Sequence, residues 1–325
     1  MNRLPINTRR WRANLLLLAA AVLWGFAFTA QRVGAERVSP FTFNSVRFAL
    51  GAALITIVIL ALDRKRGIRG ATRRSMNRSV LGPGLLCGSL LTVAVGFQQA
   101  AMKDTSVGTA AFVTGFYLVL VPLLGVFLGH KLHWLTLAGL VIALVGLYFV
   151  TIKGAFTIPK GNGLMLCAAV SFAFHVLAVD RFAGRLPGLR FAASQFWFCA
   201  ITSGAGALAF DQHPFGSLNL ALVPLGYGGL ISVGLAYTFQ VLAQRDAQPT
   251  QATLIMSLET VFGALGGAWL LHESMGGRGY FGAALMAVGI VLSQLAPQPG
   301  PAHHVAAPAT RPPKPASQDA PTPPS

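Results

Sequence analysis

Acidic side chains are scarce in this chain: nine Asp and Glu among 325 residues, with only 10% of all positions charged. A soluble domain carries about 25% charged residues, so a fold solvated on every side is excluded. Cysteine is scarce too. Cys87, Cys167 and Cys199 each lie in an apolar run without CxxC spacing, which excludes a disulfide framework and a zinc site and reads as small packing residues. No GxxxxGK[ST] loop and no HExxH motif is present, and His130, His133, His175, His213 and His272 are dispersed. Neither an ATP-driven engine nor a metal or cofactor is expected. The net charge of +16 does not indicate nucleic acid, because the basic residues sit in short connectors rather than on one face of a domain.

What the chain does have is apolar length: 54% hydrophobic residues and a mean hydropathy of +0.61. About 20 apolar residues cross a bilayer as a helix. Ten such segments can be read, near 14–33, 42–62, 80–99, 105–128, 133–152, 161–179, 190–210, 219–241, 249–271 and 277–295. The eighth is interrupted by Pro224 and by Gly228 with Gly229. The first follows Arg9, Arg10 and Arg12 and exceeds a signal-peptide core, so it reads as an uncleaved first helix. Arg3, Arg9, Arg10 and Arg12, the basics of "DRKRGIRGATRRSMNR", Lys131, Arg181, Arg185, Arg190 and Arg245 all fall on one side of that count. The positive-inside rule makes that side cytoplasmic and puts both termini there. From residue 296 the chain becomes a Pro/Ala-rich tail without periodicity, which reads as disordered.

The apolar region repeats. "FQQAAMKDTSVGTAAFVTGFYLVLVPLLGVFLGH", from Phe97, lies without a gap over "FQVLAQRDAQPTQATLIMSLETVFGALGGAWLLH", from Phe239, with ten of 34 positions identical. Asp104 falls on Asp246, Gly125 on Gly267, His130 on His272, and Tyr117 on Glu259. One residue of slippage then brings Gly139 and Gly146 over Gly282 and Gly289. Segments three to five therefore match eight to ten, and a repeat of five helices enters the membrane inverted in its second copy. The expected fold is an all-α polytopic membrane protein: ten transmembrane helices as two inverted five-helix repeats. Its expected parts are an N-terminus over 1–13, repeats over 14–152 and 161–295, and the tail over 296–325.

These landmarks resemble the EamA-like branch of the drug/metabolite transporter superfamily. The resemblance rests on Trp24 and Gly25 in the first helix, Pro40 and Arg47 in the second, "GTAAFVTGFYLVLVPLLG" at 108–125, "LET" at 258–260 and "HE" at 272–273. It departs from the family's pattern at Thr260, where proline and a kink are common, and at Lys131, where an acid is common. The resemblance implies a ten-helix inner-membrane transporter of bacterial type that exports amino acids, other metabolites or drugs.

Glu259 is the only acid in its apolar run, where a charge is costly unless it faces protein or water, so it is the first candidate for a substrate-binding or proton-exchanging group. The alternative is a structural hydrogen bond between helices. Arg47 lies within the second segment, where it either snorkels to the interface or draws an anionic part of a substrate inward. Gln98 and Gln240 occupy equivalent places in the repeat, and Trp24, Tyr117, Thr114, His175 and Gln195 are further polar or aromatic groups on spanning segments. Gly25, Gly125, Gly263 and Gly267 read as sites of close helix packing. Asp104 and Asp246 read as helix N-terminal caps. The glycines of the fifth and tenth segments serve either packing within the chain or a homodimer. The expected activity is secondary transport of a small organic metabolite or drug-like compound by alternating access, with protons or exchange as the driving force. A non-transporting scaffold or sensor and a membrane-embedded enzyme are the alternatives.

Overall fold

A computed structural model describes residues 6–126, 133–151, 158–183, 185–243 and 255–295. His130, Lys131, Asp246 and the tail expected over 296–325 lie outside the described residues. Within them every regular element is helical, as apolar surroundings demand: no water satisfies backbone N–H and C=O groups there, and a helix satisfies them within itself.

The first half comprises α1 (Ile6–Ala35), α2 (Pro40–Arg66), α3 (Gly70–Ser79), α4 (Leu81–Ala101), α5 (Val107–Gly115), α6 (Tyr117–Gly125) and α7 (Trp134–Thr151). The second comprises α8 (Lys160–Ala183), α9 (Gly188–Phe210), a short 3-10 turn (Leu218–Ala221), α10 (Leu222–Gly226), a π-helix (Tyr227–Ala236), α11 (Tyr237–Ala243), α12 (Glu259–Leu270) and α13 (Gly276–Leu295). Among the described residues, seven helices are long and apolar enough to cross a membrane. Beside them stand two shorter apolar helices, Trp134–Val150 and Ile255–Leu270, and the 23-residue α9. The first helix begins earlier than expected, at Ile6 rather than near residue 14, and its apolar span runs from Trp11 to Ala35.

Local chemistry sets the ends. Ser39 caps α2 by accepting a hydrogen bond from the Thr42 N–H at 3.1 Å, and Pro40 occupies the first turn, where its missing N–H is not needed. At the other end Gly67 adopts φ 67°, a conformation open to glycine at little cost. Ser106 rather than Asp104 caps α5, accepting from the Thr109 N–H at 3.4 Å. The capping role expected of Asp104 is thus taken by the hydroxyl two residues later, which stands in the β-region conformation that a cap needs.

Among the antiparallel crossings that join the halves, two turn on close approach at glycine. In the first, α7 lies on α13: a Cβ placed on Gly139 would stand 2.5 Å from the Gly289 carbonyl oxygen, and one on Gly146 would stand 2.5 Å from that of Gly282. In the second, α5 lies on α12, with Val107 against Gly267, Ala111 against Gly263, and Gly115 against Thr260. In both, one number rises as the other falls, so the paired helices run in opposite directions. Between helices with no hydrophobic drive to associate in lipid, such close backbone approach supplies the dispersion contacts that hold them. The glycines of α7 and α13 therefore serve packing within one chain.

Candidate functional site

The second crossing carries the chemistry. At its middle the helical ladder tightens at equivalent places: the Phe116 N–H donates to the Val113 carbonyl at 3.3 Å, and the Leu258 N–H to that of Ile255 at 3.2 Å. Each tightened turn is followed at once by a polar side chain, Tyr117 opening α6 and Glu259 opening α12. The discontinuity that sequence made doubtful at Thr260 is present without proline, one residue ahead of Glu259. Thr260 has a different task. Its hydroxyl donates back to the Ser257 carbonyl at 2.9 Å, and its methyl faces Gly115, which admits it for lack of a Cβ.

Tyr117 and Glu259, aligned in the repeat, lie side by side, with their side chains facing each other. Both are half-buried. This pair lies at a point where the two halves of the chain meet. The position also suits a carboxylate, since the first turn of a helix favours negative charge. Gly25 brings α1 against the same point: a Cβ there would overlap Phe262 and stand 2.9 Å from the Glu259 carbonyl oxygen. Gly263 and Gly267 take the packing roles expected of them, against Ala111 and Val107. Gly125 is buried at the end of α6.

Aromatic groups extend from this pair. The Tyr117 ring is 6.1 Å from Phe172, which packs against two apolar clusters, each built from both halves of the chain. Phe48, Phe196 and Tyr237 continue the wall, with ring centroids 5.6 and 5.1 Å apart in turn. Arg47 stands at its far end, 4% exposed, with its guanidinium 4.9 Å from the Phe48 ring centre and 5.5 Å from that of Phe43. It does not snorkel. Its Nε has no hydrogen-bond partner, and it makes no ion pair with Glu259. The two residues stand apart, Glu259 beside Tyr117 and Arg47 among aromatic faces.

Trp24 and Arg47 converge on the π-helix. The Trp24 indole N–H donates to the Ser232 carbonyl at 3.0 Å, and the Arg47 side chain runs 3.6 Å from the Gly228 position. A wide helix of this kind frequently marks a functional site. Here Gly228 and Gly229, read as an interruption, let the wide turn lie close to α2. His175 shares a 2.9 Å hydrogen bond with Gln195, joining α8 to α9. Gln98 donates to the Thr114 hydroxyl and Gln240 to the Met256 sulfur, both at 3.4 Å. Repeat-equivalent amides thus contact repeat-equivalent partners, each inside its own half.

Sequence reasoning passed over two ionic clusters at opposite ends of the bundle. At one end Asp63 of α2, 6% exposed, receives both oxygens' hydrogen bonds from Arg190 of α9, at 2.5 and 2.7 Å. At the other, Glu273 accepts from the Val107 N–H at 2.6 Å and lies 3.5 Å from Arg32, which also donates to the Met102 and Lys103 carbonyls. Beside that second cluster a cavity of about 350 Å³ is lined by Asp104, Thr109, Asn162, Ser274 and Arg278, among others. The "HE" motif and Arg32 were visible signals, but their pairing is a matter of packing alone.

The fold and its apolar helices define a multi-pass helical membrane protein. The EamA-like transporter family matches it twice, at residues 11–152 and 159–295, and the chain belongs to that family. A protein of Archaeoglobus fulgidus named as an uncharacterized transporter is 26% identical over 89% of this chain and 88% of its own length. The transporter YoaV of Bacillus subtilis, likewise named uncharacterized, is 22% identical over 85% and 94%. A WAT1-related protein of Arabidopsis thaliana is 26% identical over 86% and 90%. A crystal structure with 22% identity superposes with a TM-score of 0.61, covering 87% of this chain and 96% of the other, and so has the same fold. The chain is a membrane transporter.

Proposed function

We propose that this transporter is a ten-span, inverted-repeat secondary carrier that exports a small organic metabolite or drug-like compound by alternating access. Glu259 is the group that couples transport to protons or to substrate exchange. The observation that carries this reading is the juxtaposition of the repeat-equivalent side chains of Tyr117 and Glu259. A carboxyl between two opposed halves faces one access route and then the other as they exchange conformations. Tyr117 supplies a donor for the ionised carboxylate when no substrate or proton is there. The aromatic wall of Phe172, Phe196, Phe48 and Tyr237, with Arg47 at its end, suits an organic solute with an apolar body.

Charge bias supports an inner (plasma) membrane carrier with cytoplasmic termini. The connector around α3 and the one before α9 carry Arg69, Arg73, Arg74, Arg78 and Arg185, and Arg190 opens α9 beside them. The ionic clusters Asp63–Arg190 and Arg32–Glu273 then close opposite membrane faces, and alternating access opens one at a time. The antiparallel crossings of α7 on α13 and α5 on α12 support the inverted arrangement of the repeats.

The test is reconstitution into liposomes with a panel of labelled metabolites, comparing the parent with Glu259→Gln at matched protein. Uphill accumulation driven by a pH gradient is expected to vanish in the variant while substrate exchange persists. If the variant retains gradient-driven accumulation, Glu259 is not the coupling group. If the parent moves no solute under either regime, the carrier reading fails as a whole.

A further inference from the structure

The short helix α3 is unlike the rest of the chain. None of its residues is buried, and it carries Arg73, Arg74 and Arg78 within ten residues. Arg69 precedes it, and Arg64, Lys65 and Arg66 end α2 just before. Topology alone asks only for positive charge on this side of the membrane. The helix is nonetheless held in one place. Arg190 donates to the Asn77 side chain as well as to Asp63, and Arg73 lies 3.5 Å from the same Asp63. A buried bidentate pair thus anchors α3 to the ends of α2 and α9, and Asp63 is used up in doing so.

Arg74 and Arg78 are left over. They stand one helical turn apart, where like charges repel, and neither has a carboxylate within 4.0 Å among the described residues. Together with Arg73, Asn77, Gly70 and Leu81 they line a cavity of about 370 Å³. Leu81 is 52% exposed and opens α4, on which Leu85 and Leu86 are also exposed. The cavity therefore offers guanidinium groups on one wall and an apolar strip running off along a spanning helix from the other.

We propose that this cavity is a binding site for an anionic glycerophospholipid. Its phosphate sits between Arg74 and Arg78, and one of its acyl chains lies along Leu81 and Leu85. Guanidinium forks match phosphate oxygens with two parallel hydrogen bonds and carry their charge at any working pH. The phosphate relieves the repulsion within α3, and the exposed leucines are covered by the chain attached to it. Occupied, the site fixes the connector between α2 and α4 against the end of α9, where the Asp63–Arg190 pair joins the two halves.

The experiment uses the purified full-length protein, with lipid retention measured by native mass spectrometry for phosphatidylglycerol and for phosphatidylcholine at equal concentrations. The parent is expected to retain phosphatidylglycerol preferentially. The Arg74→Gln/Arg78→Gln double variant should lose affinity for it by about twenty-fivefold, at roughly fivefold per interfacial basic residue, and bind phosphatidylcholine as the parent does. Arg37→Gln/Arg278→Gln removes two charges at the opposite end and should leave retention unchanged. Since Arg74 and Arg78 are exposed, the double variant should also melt with the parent in phosphatidylcholine. Equal retention of the two lipids by the parent, parental affinity in the double variant, or an equal loss in the control variant would each overturn the proposal. Displacement of phosphatidylglycerol by millimolar inorganic phosphate would overturn it in favour of a soluble-anion site.

Discussion

Two of the antiparallel crossings between halves, α7 on α13 and α5 on α12, use equivalent parts of the repeat in opposite ways. Where α7 lies on α13, glycine faces glycine, and Gly139, Gly146, Gly282 and Gly289 stand against one another's backbone from both sides. Where α5 and α6 lie on α12, the central equivalent pair is a tyrosine and a glutamate. The first crossing kept its symmetry, and the second broke it. A contact whose only task is close approach gains nothing from differing between copies, because each side needs the same small residue. On the proposed reading the coupling group needs one titratable carboxyl and one neutral neighbour, and two carboxylates in contact would repel each other.

That contrast can be broken experimentally, and the largest effect is expected at the glycine seam. Gly146→Leu puts a side chain where even a Cβ stands 2.5 Å from the Gly282 carbonyl oxygen, so folded protein should be lost from detergent extracts. The milder Gly139→Ala and its repeat equivalent Gly282→Ala should each cost about 2 kcal/mol, and about equally, in thermal melts. Unequal costs would deny the symmetry of this seam.

Next comes the exchange Tyr117→Glu with Glu259→Tyr, which restores a donor and a carboxyl in reversed order. It should keep the melting temperature close to the parent's yet change the dependence of transport on the direction of the pH gradient. Transport identical to the parent's would mean that the order of the pair is immaterial. Tyr117→Phe removes the hydroxyl beside Glu259 and should lower stability by about 1 kcal/mol. Its stronger signature is a shifted pH profile of transport, as Glu259 loses its donor. A profile unchanged from the parent's would leave Tyr117 with a packing role only.

The smallest effects belong to the amides. Gln98→Leu and Gln240→Leu should each change stability by about 0.6 kcal/mol, the average for a hydrogen bond between membrane-buried side chains. Because their partners Thr114 and Met256 occupy equivalent places, the costs should differ only as a hydroxyl acceptor differs from a sulfur. A loss of transport in one of them alone would move that glutamine into the solute's route.

Much of this was legible before the fold was known. The spans follow from apolar runs, and the alignment of Phe97 with Phe239 already put Tyr117 opposite Glu259. Gly25 and Gly263 were expected to permit close packing, and each does so beside Glu259 or its helix. What escaped was pairing. Arg47 lies among aromatic faces and Glu259 beside Tyr117, neighbours that the sequence left open, since rotation about a helix axis is not encoded in depth. Asp63 with Arg190, and Arg32 with Glu273, were read as loop or end charges, although they join elements far apart in the chain.

By itself the sequence determined the helices, the membrane and the duplication. Backbone groups in hydrocarbon must find partners nearby, so an apolar run of sufficient length has one solution, and that solution is local. The tertiary structure alone decided which equivalents meet between the halves, where the π-helix lets α2 approach, and which charges are left without a carboxylate. Those outcomes depend on how whole helices rotate and cross, and a crossing is set by every side chain along both helices at once.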